Sequence, residues 1–167
     1  EGEGGPRGGL CDWETFRRSR GEEDFGGDRG KEEPVTRRRR ILVVDDEKAL
    51  RNLFVRMLDA KEYEVVCAQS GREAVNKVKK RDFDLVFTDM VMPQMDGVAT
   101  VKALKEIKPD LPIVIITGYA VEEKIKEALA LGAVQCLFKP FDIAEITGIL
   151  RQLEKRAGLK PAPVGWK

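Results

Sequence analysis

Residues 41–46, with the sequence ILVVDD, place a short β-branched apolar run directly before two carboxylates. Such a run is typical of a buried strand, and the two aspartates mark its end. The residues that follow have a helical period, because apolar side chains recur on one face. These side chains are Leu50, Leu53, Phe54, Met57 and Leu58. The stretch therefore predicts a buried strand followed at once by an amphipathic helix.

The same alternation of strand and helix continues along the chain. Further strands are predicted at residues 63–67, 85–87, 112–116 and 134–138. Ser70, with Glu73 three residues later, forms a capping box that starts the second helix. Asp96 is expected to cap the third helix, and Gly132 stands where the fourth would end. The fourth helix is expected to pack through Val121, Ile125, Ala128 and Leu129.

Strict alternation with short connections predicts an α/β fold, a doubly wound (βα)5 parallel sheet with helices on both faces, over residues 39–157. Residues 1–38 are rich in glycine and charge and poor in apolar side chains, so they are predicted to be disordered. Four arginines at 37–40 are interpreted as a solvated linker, with an acidic partner or nucleic acid as the alternative. Residues 158–167 are predicted to be a flexible tail.

The composition narrows the classes of function. Lys and Arg total 30 and Asp and Glu 29, so the net charge of +1 gives no reason to expect nucleic acid or a membrane as partner. Without histidine, Ser-His-Asp and Cys-His catalysis are excluded, and any phosphohistidine donor is another molecule. The three cysteines lack CxxC spacing, which indicates a reduced protein. No apolar run approaches the roughly 20 residues of a membrane span, so a cytoplasmic location is predicted.

Charged or hydroxyl side chains follow four of the five predicted strands. Asp45 and Asp46 follow the first, Asp89 the third, Thr117 the fourth and Lys139 the fifth. Because ligands of an open parallel sheet bind at the carboxyl ends of its strands, these side chains are expected to converge. Crowded carboxylates repel one another, and a hard cation such as Mg²⁺ would relieve that repulsion. The carboxylates, such a cation, an ammonium and a hydroxyl together form a site suited to a phosphoryl group. One of the carboxylates can act as the nucleophile.

The ordered set of motifs at these strand ends resembles the receiver domain of two-component response regulators, the CheY-like family. The resemblance covers about residues 39–157. It is carried by Asp45-Asp46, by DMVMPQMDG from Asp89 to Gly97, by Ile116-Thr117-Gly118 and by Phe138-Lys139-Pro140-Phe141. The resemblance implies a sheet of order 2-1-3-4-5 and a cis peptide bond between Lys139 and Pro140.

The resemblance also implies the chemistry of the site. Asp89 would be the phosphoacceptor, charged by a histidine kinase or a phosphotransfer protein. Asp46 and Asp89 would ligate Mg²⁺ with the carbonyl of Val91 as a third protein ligand, and Asp45 would hold a metal-bound water. The protein would then promote its own phosphorylation and dephosphorylation without being a turnover enzyme.

Signal output is implied by the same resemblance. Lys139 would pair with the phosphoryl oxygens, and Thr117 would move to bind the phosphoryl group. That movement would couple the site to a face made by the fourth helix, the fifth strand and the fifth helix. Output is expected through contact of this face with a downstream effector protein or through onward phosphoryl relay, because no helix-turn-helix fits in the residues after the last predicted helix.

The sequence departs from the family pattern on the fifth strand. Cys136 occupies the position, three residues before the lysine, where many receivers have an aromatic residue that moves on activation. Phe138 is expected on the opposite face of that strand. Val91 and Tyr119 occupy the two positions that tend to set the lifetime of the phosphoryl group in this family. Since valine cannot orient an attacking water and tyrosine is bulky, a long-lived phospho-Asp89 is expected.

Other interpretations of the same residues remain open. Asp45 or Asp46 is expected partly to cap the first helix. An Asp-nucleophile phosphatase is a rival class, although it would normally have a DxD arrangement where this chain has Asp45, Asp46 and Glu47. A receiver-like scaffold that is never phosphorylated is a second rival. The chain is also compatible with the detached receiver of a hybrid kinase or of a multidomain regulator.

Overall fold

The computed structural model describes residues 38–58, 63–118 and 122–156. The predictions for the segment 1–38, apart from Arg38, lie outside the described residues. The same holds for Tyr119, for Val121 and for the tail 158–167. The domain boundaries at 39 and 157 therefore stay predictions.

Within the described residues, five strands alternate with five helices in chain order. The strands are β1 Arg39–Val44, β2 Tyr63–Ala68, β3 Leu85–Asp89, β4 Ile113–Thr117 and β5 Gln135–Phe138. The helices are α1 Lys48–Met57, α2 Gly71–Lys80, α3 Gly97–Ile107, α4 Glu122–Ala130 and α5 Ile143–Arg156. The alternation predicted from hydrophobic period is confirmed. No helix among the described residues combines the length and apolar character needed to cross a membrane.

The strands form one parallel sheet in the order β2-β1-β3-β4-β5. This is the doubly wound (βα)5 arrangement that the sequence predicts. The register pairs Val44 with Thr88, Asp89 with Ile116 and Thr117 with Phe138. Because all strands run in the same direction, their carboxyl ends lie along one edge of the sheet.

Two apolar clusters cover the two faces of the sheet. Alternate residues of β1 point to opposite faces, so Ile41 and Val43 belong to one cluster while Leu42 and Val44 belong to the other. On the first face, α1 and α5 pack through Phe54 and residues including Ile146, Ile149 and Leu150. On the second face, α2, α3 and α4 pack through residues including Ala74, Val78, Val101, Leu104 and Ala128. The sheet is therefore covered on both sides and held rigid beneath its carboxyl edge.

The predicted helix signals are largely confirmed. The Ser70 hydroxyl accepts a hydrogen bond from the Glu73 amide at 3.2 Å, and Glu73 in turn accepts one from the Gln69 amide at 2.9 Å. Gly132 has the positive φ of 102° that a helix-terminating glycine adopts. The Lys139–Pro140 peptide bond is cis, as the family resemblance implies.

Some details of the prediction are wrong. Leu53 and Leu129 were expected on inner helix faces, but they are 39% and 42% exposed. Each is adjacent to a fully buried residue, Phe54 and Ala128, and neighbours on a helix point about 100° apart. Strands β3 and β4 extend through Asp89 and Thr117, beyond their predicted ends, because these polar residues still pair in the ladder. Asp89 and Thr117 are therefore part of the sheet itself.

Candidate functional site

Three carboxylates meet at the carboxyl edge of the sheet, as the sequence predicts. Asp45 and Asp46 follow β1, and Asp89 is the last residue of the neighbouring strand β3. One oxygen from each carboxylate lies within 4.8 Å of the others. Asp45 and Asp89 are buried, whereas Asp46 is exposed. The cluster is thus enclosed by the sheet on one side and accessible from solvent on the other.

Lys139 joins the cluster from the end of β5. Its Nζ lies 3.3 Å from Oδ1 of Asp89 and 3.4 Å from Oδ2 of Asp45. Its stem passes Gly118 at the end of β4, where an added Cβ would lie 3.9 Å from the stem carbons. The ammonium therefore spans from β5 to both buried carboxylates, and it compensates part of the free energy needed to remove them from water.

Burial has the largest single effect on the pKa of each of these groups. It raises the pKa of Asp45 to about 6, against the opposing effects of the Glu47 amide and of Lys139. Burial also raises the pKa of Asp89, again opposed by Lys139. For Lys139 burial acts to lower the pKa, but the attraction of Asp45 and Asp89 outweighs it and raises the pKa overall. The ammonium therefore stays charged at neutral pH.

The donor set fits a hard divalent cation. Three carboxylates and one ammonium leave two negative charges in excess. Each carboxylate can offer one oxygen to the same point, and oxygen ligands are those that Mg²⁺ prefers. A doubly charged cation at this point would balance the charge of the cluster.

The loop between β1 and α1 fixes the two aspartates differently from the prediction. The N-cap of α1 is Glu47, whose side chain makes no capping hydrogen bond. The Asp45 carboxylate instead accepts a hydrogen bond from the Glu47 amide at 2.7 Å. The expectation that an aspartate caps the first helix is therefore wrong, because this bond holds the loop before the helix and reaches no amide within it.

Arg51 is a site residue that the sequence analysis missed. It is buried in the first turns of α1, and its Nη1 donates hydrogen bonds to the carbonyl oxygens of Asp45 at 2.6 Å and Asp46 at 3.0 Å. In the sequence it is one polar residue between Leu50 and Asn52 on an amphipathic helix. Its spacing six residues after Asp45 carries no signal without the fold.

The loop that follows Asp89 folds back on the end of β3. The Gly97 amide donates a hydrogen bond to the Met90 carbonyl at 2.9 Å. Asp96 caps α3 as predicted, since its Oδ1 accepts a hydrogen bond from the Ala99 amide at 2.9 Å. The other carboxylate oxygen of Asp96 lies 3.1 Å from Nζ of Lys124 on α4. The loop after Asp89 is therefore linked both to α3 and to α4.

The remaining predicted residues lie near the cluster in different settings. Val91 is two residues after Asp89 and is 57% exposed. Thr117 is buried as the last residue of β4, and its carbonyl accepts a hydrogen bond from the Lys139 amide at 2.8 Å. The ends of β4 and β5 are joined by this bond.

The residues of β5 require one correction. Cys136 is partly buried against the face covered by α2, α3 and α4, whereas Leu137 belongs to the opposite cluster. Phe138 is two residues after Cys136 and therefore shares its face, so the expectation of opposite faces is wrong. Phe138 is 51% exposed.

A groove of about 630 Å³ opens elsewhere in the molecule. It lies at the amino ends of the strands, between residues such as Ile41, Leu85 and Leu153. None of the predicted site residues lines it. The candidate site is thus defined by the acidic cluster at the carboxyl edge and not by this cavity.

The chain matches known proteins over the same region. The family model for the response regulator receiver domain matches residues 41–151. The transcriptional regulatory protein ZraR of Escherichia coli O157:H7 is 40% identical over 112 residues, which cover 67% of this chain and 25% of that protein. Sporulation initiation phosphotransferase F of Bacillus subtilis is 35% identical over 113 residues, or 68% of this chain and 91% of that protein. The chain therefore matches only about a quarter of the first relative and nearly all of the second.

A solved structure gives the same assignment. The response regulator protein TrrA of Thermotoga maritima, in complex with Mg(2+)-BeF, has a TM-score of 0.63 and 31% sequence identity, with 69% of this chain and 98% of that chain covered. Fold, motif order and acidic cluster all agree with these similarities. The chain belongs to the family of response regulator receiver domains of two-component systems.

Proposed function

We propose that Asp89 accepts a phosphoryl group from a histidine kinase or a phosphotransfer protein in a Mg²⁺-dependent reaction. The observation that carries this proposal is the position of Lys139, whose Nζ lies within 3.4 Å of both buried carboxylates of the acidic cluster. An ammonium, three carboxylates and a strand-end hydroxyl supply the charge and the positioning that phosphoryl transfer requires.

The transfer replaces a P–N bond of the donor with a P–O bond to Asp89. A carboxylate oxygen of Asp89 attacks the phosphorus of a phosphohistidine, so that a P–O bond forms while the P–N bond breaks. The imidazole nitrogen of the donor leaves with the electron pair and takes up a proton. Lys139 is placed to pair with the oxygens of the transferred group, and the hydroxyl of Thr117 would bind one of them after a movement of the strand end.

Mg²⁺ would be held by the carboxylates of Asp46 and Asp89 and, by family resemblance, by the Val91 carbonyl, with Asp45 bound to one of its waters. When bound, the ion neutralises charge that develops on the phosphoryl oxygens. The Mg(2+)-BeF complex of the related TrrA protein supports this assignment. The exposed position of Asp46 leaves a route for the ion to enter.

The output is proposed to be protein contact through the face made by α4, β5 and α5. Support comes from the loop after Asp89, which reaches α4 through the Asp96–Lys124 ion pair. The exposed Phe138 is the last residue of β5, and the lysine of the site is the next residue in the chain. The protein would then be a switch that takes and loses its own phosphoryl group, and not an enzyme that turns over metabolites. An effector partner is consistent with ZraR, which is a transcriptional regulatory protein.

Incubation with Mg²⁺ and acetyl phosphate is expected to add one phosphoryl group, as measured by intact mass. Asp89→Asn should abolish the adduct because it removes the nucleophile. Asp110→Asn, which changes an exposed aspartate outside the cluster, should leave the adduct unchanged. Omission of Mg²⁺ with a chelator present should also prevent the adduct.

Three results would contradict the proposal. Absence of an adduct on folded wild-type protein would favour a scaffold that is never phosphorylated. Release of free phosphate from many unrelated esters would favour an Asp-nucleophile phosphatase. An adduct that persists in Asp89→Asn would place the acceptor elsewhere.

Substitution of Val91 by asparagine is expected to shorten the lifetime of the phosphoryl group several-fold. Val91 is exposed beside the acceptor and has no polar atom to orient an attacking water, whereas an amide has one. The measurement is the rate of phosphate loss after removal of the donor. Val91→Leu, which remains apolar, is the matched control and should behave as wild type. Equal rates in all three proteins would contradict the expectation.

A further inference from the structure

Arg51 is the one basic side chain among the described residues that is buried, with 7% of its surface exposed. A buried guanidinium is unfavourable unless its donors are satisfied. Its Nη1 donates to the carbonyl oxygens of Asp45 and Asp46, at 2.6 Å and 3.0 Å. The charge is therefore directed at the backbone of the two residues that supply carboxylates to the cluster.

The other hydrogen bonds of this loop are donated by backbone amides. The Asp45 amide donates to the Ala68 carbonyl of β2 at 3.1 Å, and the Glu47 amide donates to the Asp45 carboxylate at 2.7 Å. The Arg51 amide donates to the Glu47 carbonyl at 3.2 Å as α1 begins. Among these contacts, the Arg51 side chain is the one that holds the carbonyls of both aspartates.

The position of a carbonyl determines the direction of the neighbouring side chains. The carbonyl of Asp45 and the amide nitrogen of Asp46 lie in one planar peptide group. Fixing the two successive carbonyls fixes the orientation of two peptide planes, and with them the dihedral angles at Asp46. The direction in which the Asp46 carboxylate leaves the backbone follows from these angles.

We propose that Arg51 is a positioning residue that orients Asp45 and Asp46 for a divalent cation. The proposal rests on the proposed function, because it assigns a further residue to the same site. Arg51 contacts the loop backbone and would touch neither the cation nor the phosphoryl group. Residues that orient metal ligands in this indirect way typically change metal affinity by about 10- to 100-fold when they are replaced.

If the charge of Arg51 acted directly on the cation, its removal would change the Mg²⁺ affinity in the opposite direction. A guanidinium beside the site repels a cation, so removal of its charge alone would tighten Mg²⁺ binding. Loss of positioning would weaken binding instead. Replacement by methionine, which removes the charge and the hydrogen bonds but keeps an unbranched chain, separates the two effects by the direction of the change.

The test is calorimetric titration of the full chain with MgCl2, without a phosphodonor. Arg51→Met is expected to weaken Mg²⁺ binding about tenfold. Arg51→Lys is expected to fall between this variant and wild type, because its ammonium keeps the charge on a stem that is one bond shorter. Arg56→Met, an exposed position on the same helix, should bind Mg²⁺ as wild type does.

Wild-type or tighter Mg²⁺ binding by Arg51→Met would overturn the inference. If that variant does not fold, Arg51→Lys decides, and unchanged affinity in it would likewise overturn the inference. The rate of acetyl phosphate labelling adds a second readout. In Arg51→Met it should recover at saturating Mg²⁺, whereas a general folding defect would lower the labelled fraction at every Mg²⁺ concentration. Arg51-dependent Mg²⁺ binding without any adduct would refute the proposed function alone.

Discussion

Replacing Asp45 by asparagine is expected to raise the free energy of unfolding of the metal-free protein by about 1–3 kcal/mol at pH 7. The Asp45 side chain is fully buried, and burial raises its pKa to about 6 from the ordinary value of 3.8. Ionisation at neutral pH therefore opposes folding. Asparagine keeps an oxygen that can accept the hydrogen bond of the Glu47 amide but carries no charge. Urea unfolding with EDTA present would measure the difference.

The pH dependence has a defined sign. Because the folded pKa of Asp45 is raised, its contribution to stability is fully present below pH 3.8 and is lost as the pH rises through about 6. The advantage of Asp45→Asn should therefore appear across this window and stay constant at higher pH. Under the proposed function Mg²⁺ binds the folded cluster, so it should stabilise wild type more than the variant and reduce the difference.

Asp46→Asn is the matched control for this prediction. It neutralises the adjacent aspartate of the same cluster, but that side chain is exposed. Surface substitutions usually change the free energy of unfolding by no more than about 0.5 kcal/mol. Equal gains from Asp45→Asn and Asp46→Asn would contradict burial as the cause. A loss of stability in Asp45→Asn would show that the ion pair with Lys139 outweighs desolvation.

Much of the fold could be predicted because its signals are local. Short β-branched runs alternate with helical periods, and such alternation admits few arrangements other than a parallel sheet. The convergence of Asp45, Asp89 and Lys139 follows from the same rule, since the carboxyl ends of parallel strands share one edge. The order of the strands was taken from the family resemblance, and the sheet confirms it.

What could not be predicted depends on contacts between distant segments. Arg51 has no distinguishing neighbours in sequence, and its role appears only when α1 is placed beside the end of β1. Phe138 was placed on the wrong face although the two-residue alternation of a strand fixes it. The backbone of Asp89 and Met90 lies so close to Gly97 that it leaves no room for a side chain there, and this contact appears only in the folded structure.

Gly97→Ala is expected to lower the free energy of unfolding by about 1–3 kcal/mol and to slow phosphoryl uptake by Asp89. A Cβ at this position would lie 2.5 Å from the carbonyl oxygen of Asp89 and 2.7 Å from Cα of Met90. Both contacts are with backbone atoms, so no rotation of a side chain can relieve them. The end of β3 must move, and Asp89 moves with it. Urea unfolding and the labelling rate with acetyl phosphate would measure the two effects.

Gly148→Ala is the matched control, because it makes the same change within α5 where a Cβ would meet no atom within 4 Å. Alanine is better than glycine in a helix interior by up to about 1 kcal/mol, so this variant should be more stable than wild type. The same substitution is thus expected to lower the free energy of unfolding at Gly97 and to raise it at Gly148. If both variants were stabilised equally, the close approach of Gly97 to the backbone of Asp89 and Met90 would not constrain the loop. If Gly97→Ala were destabilised but labelled at the wild-type rate, the strand end could move without displacing the Asp89 carboxylate from Lys139.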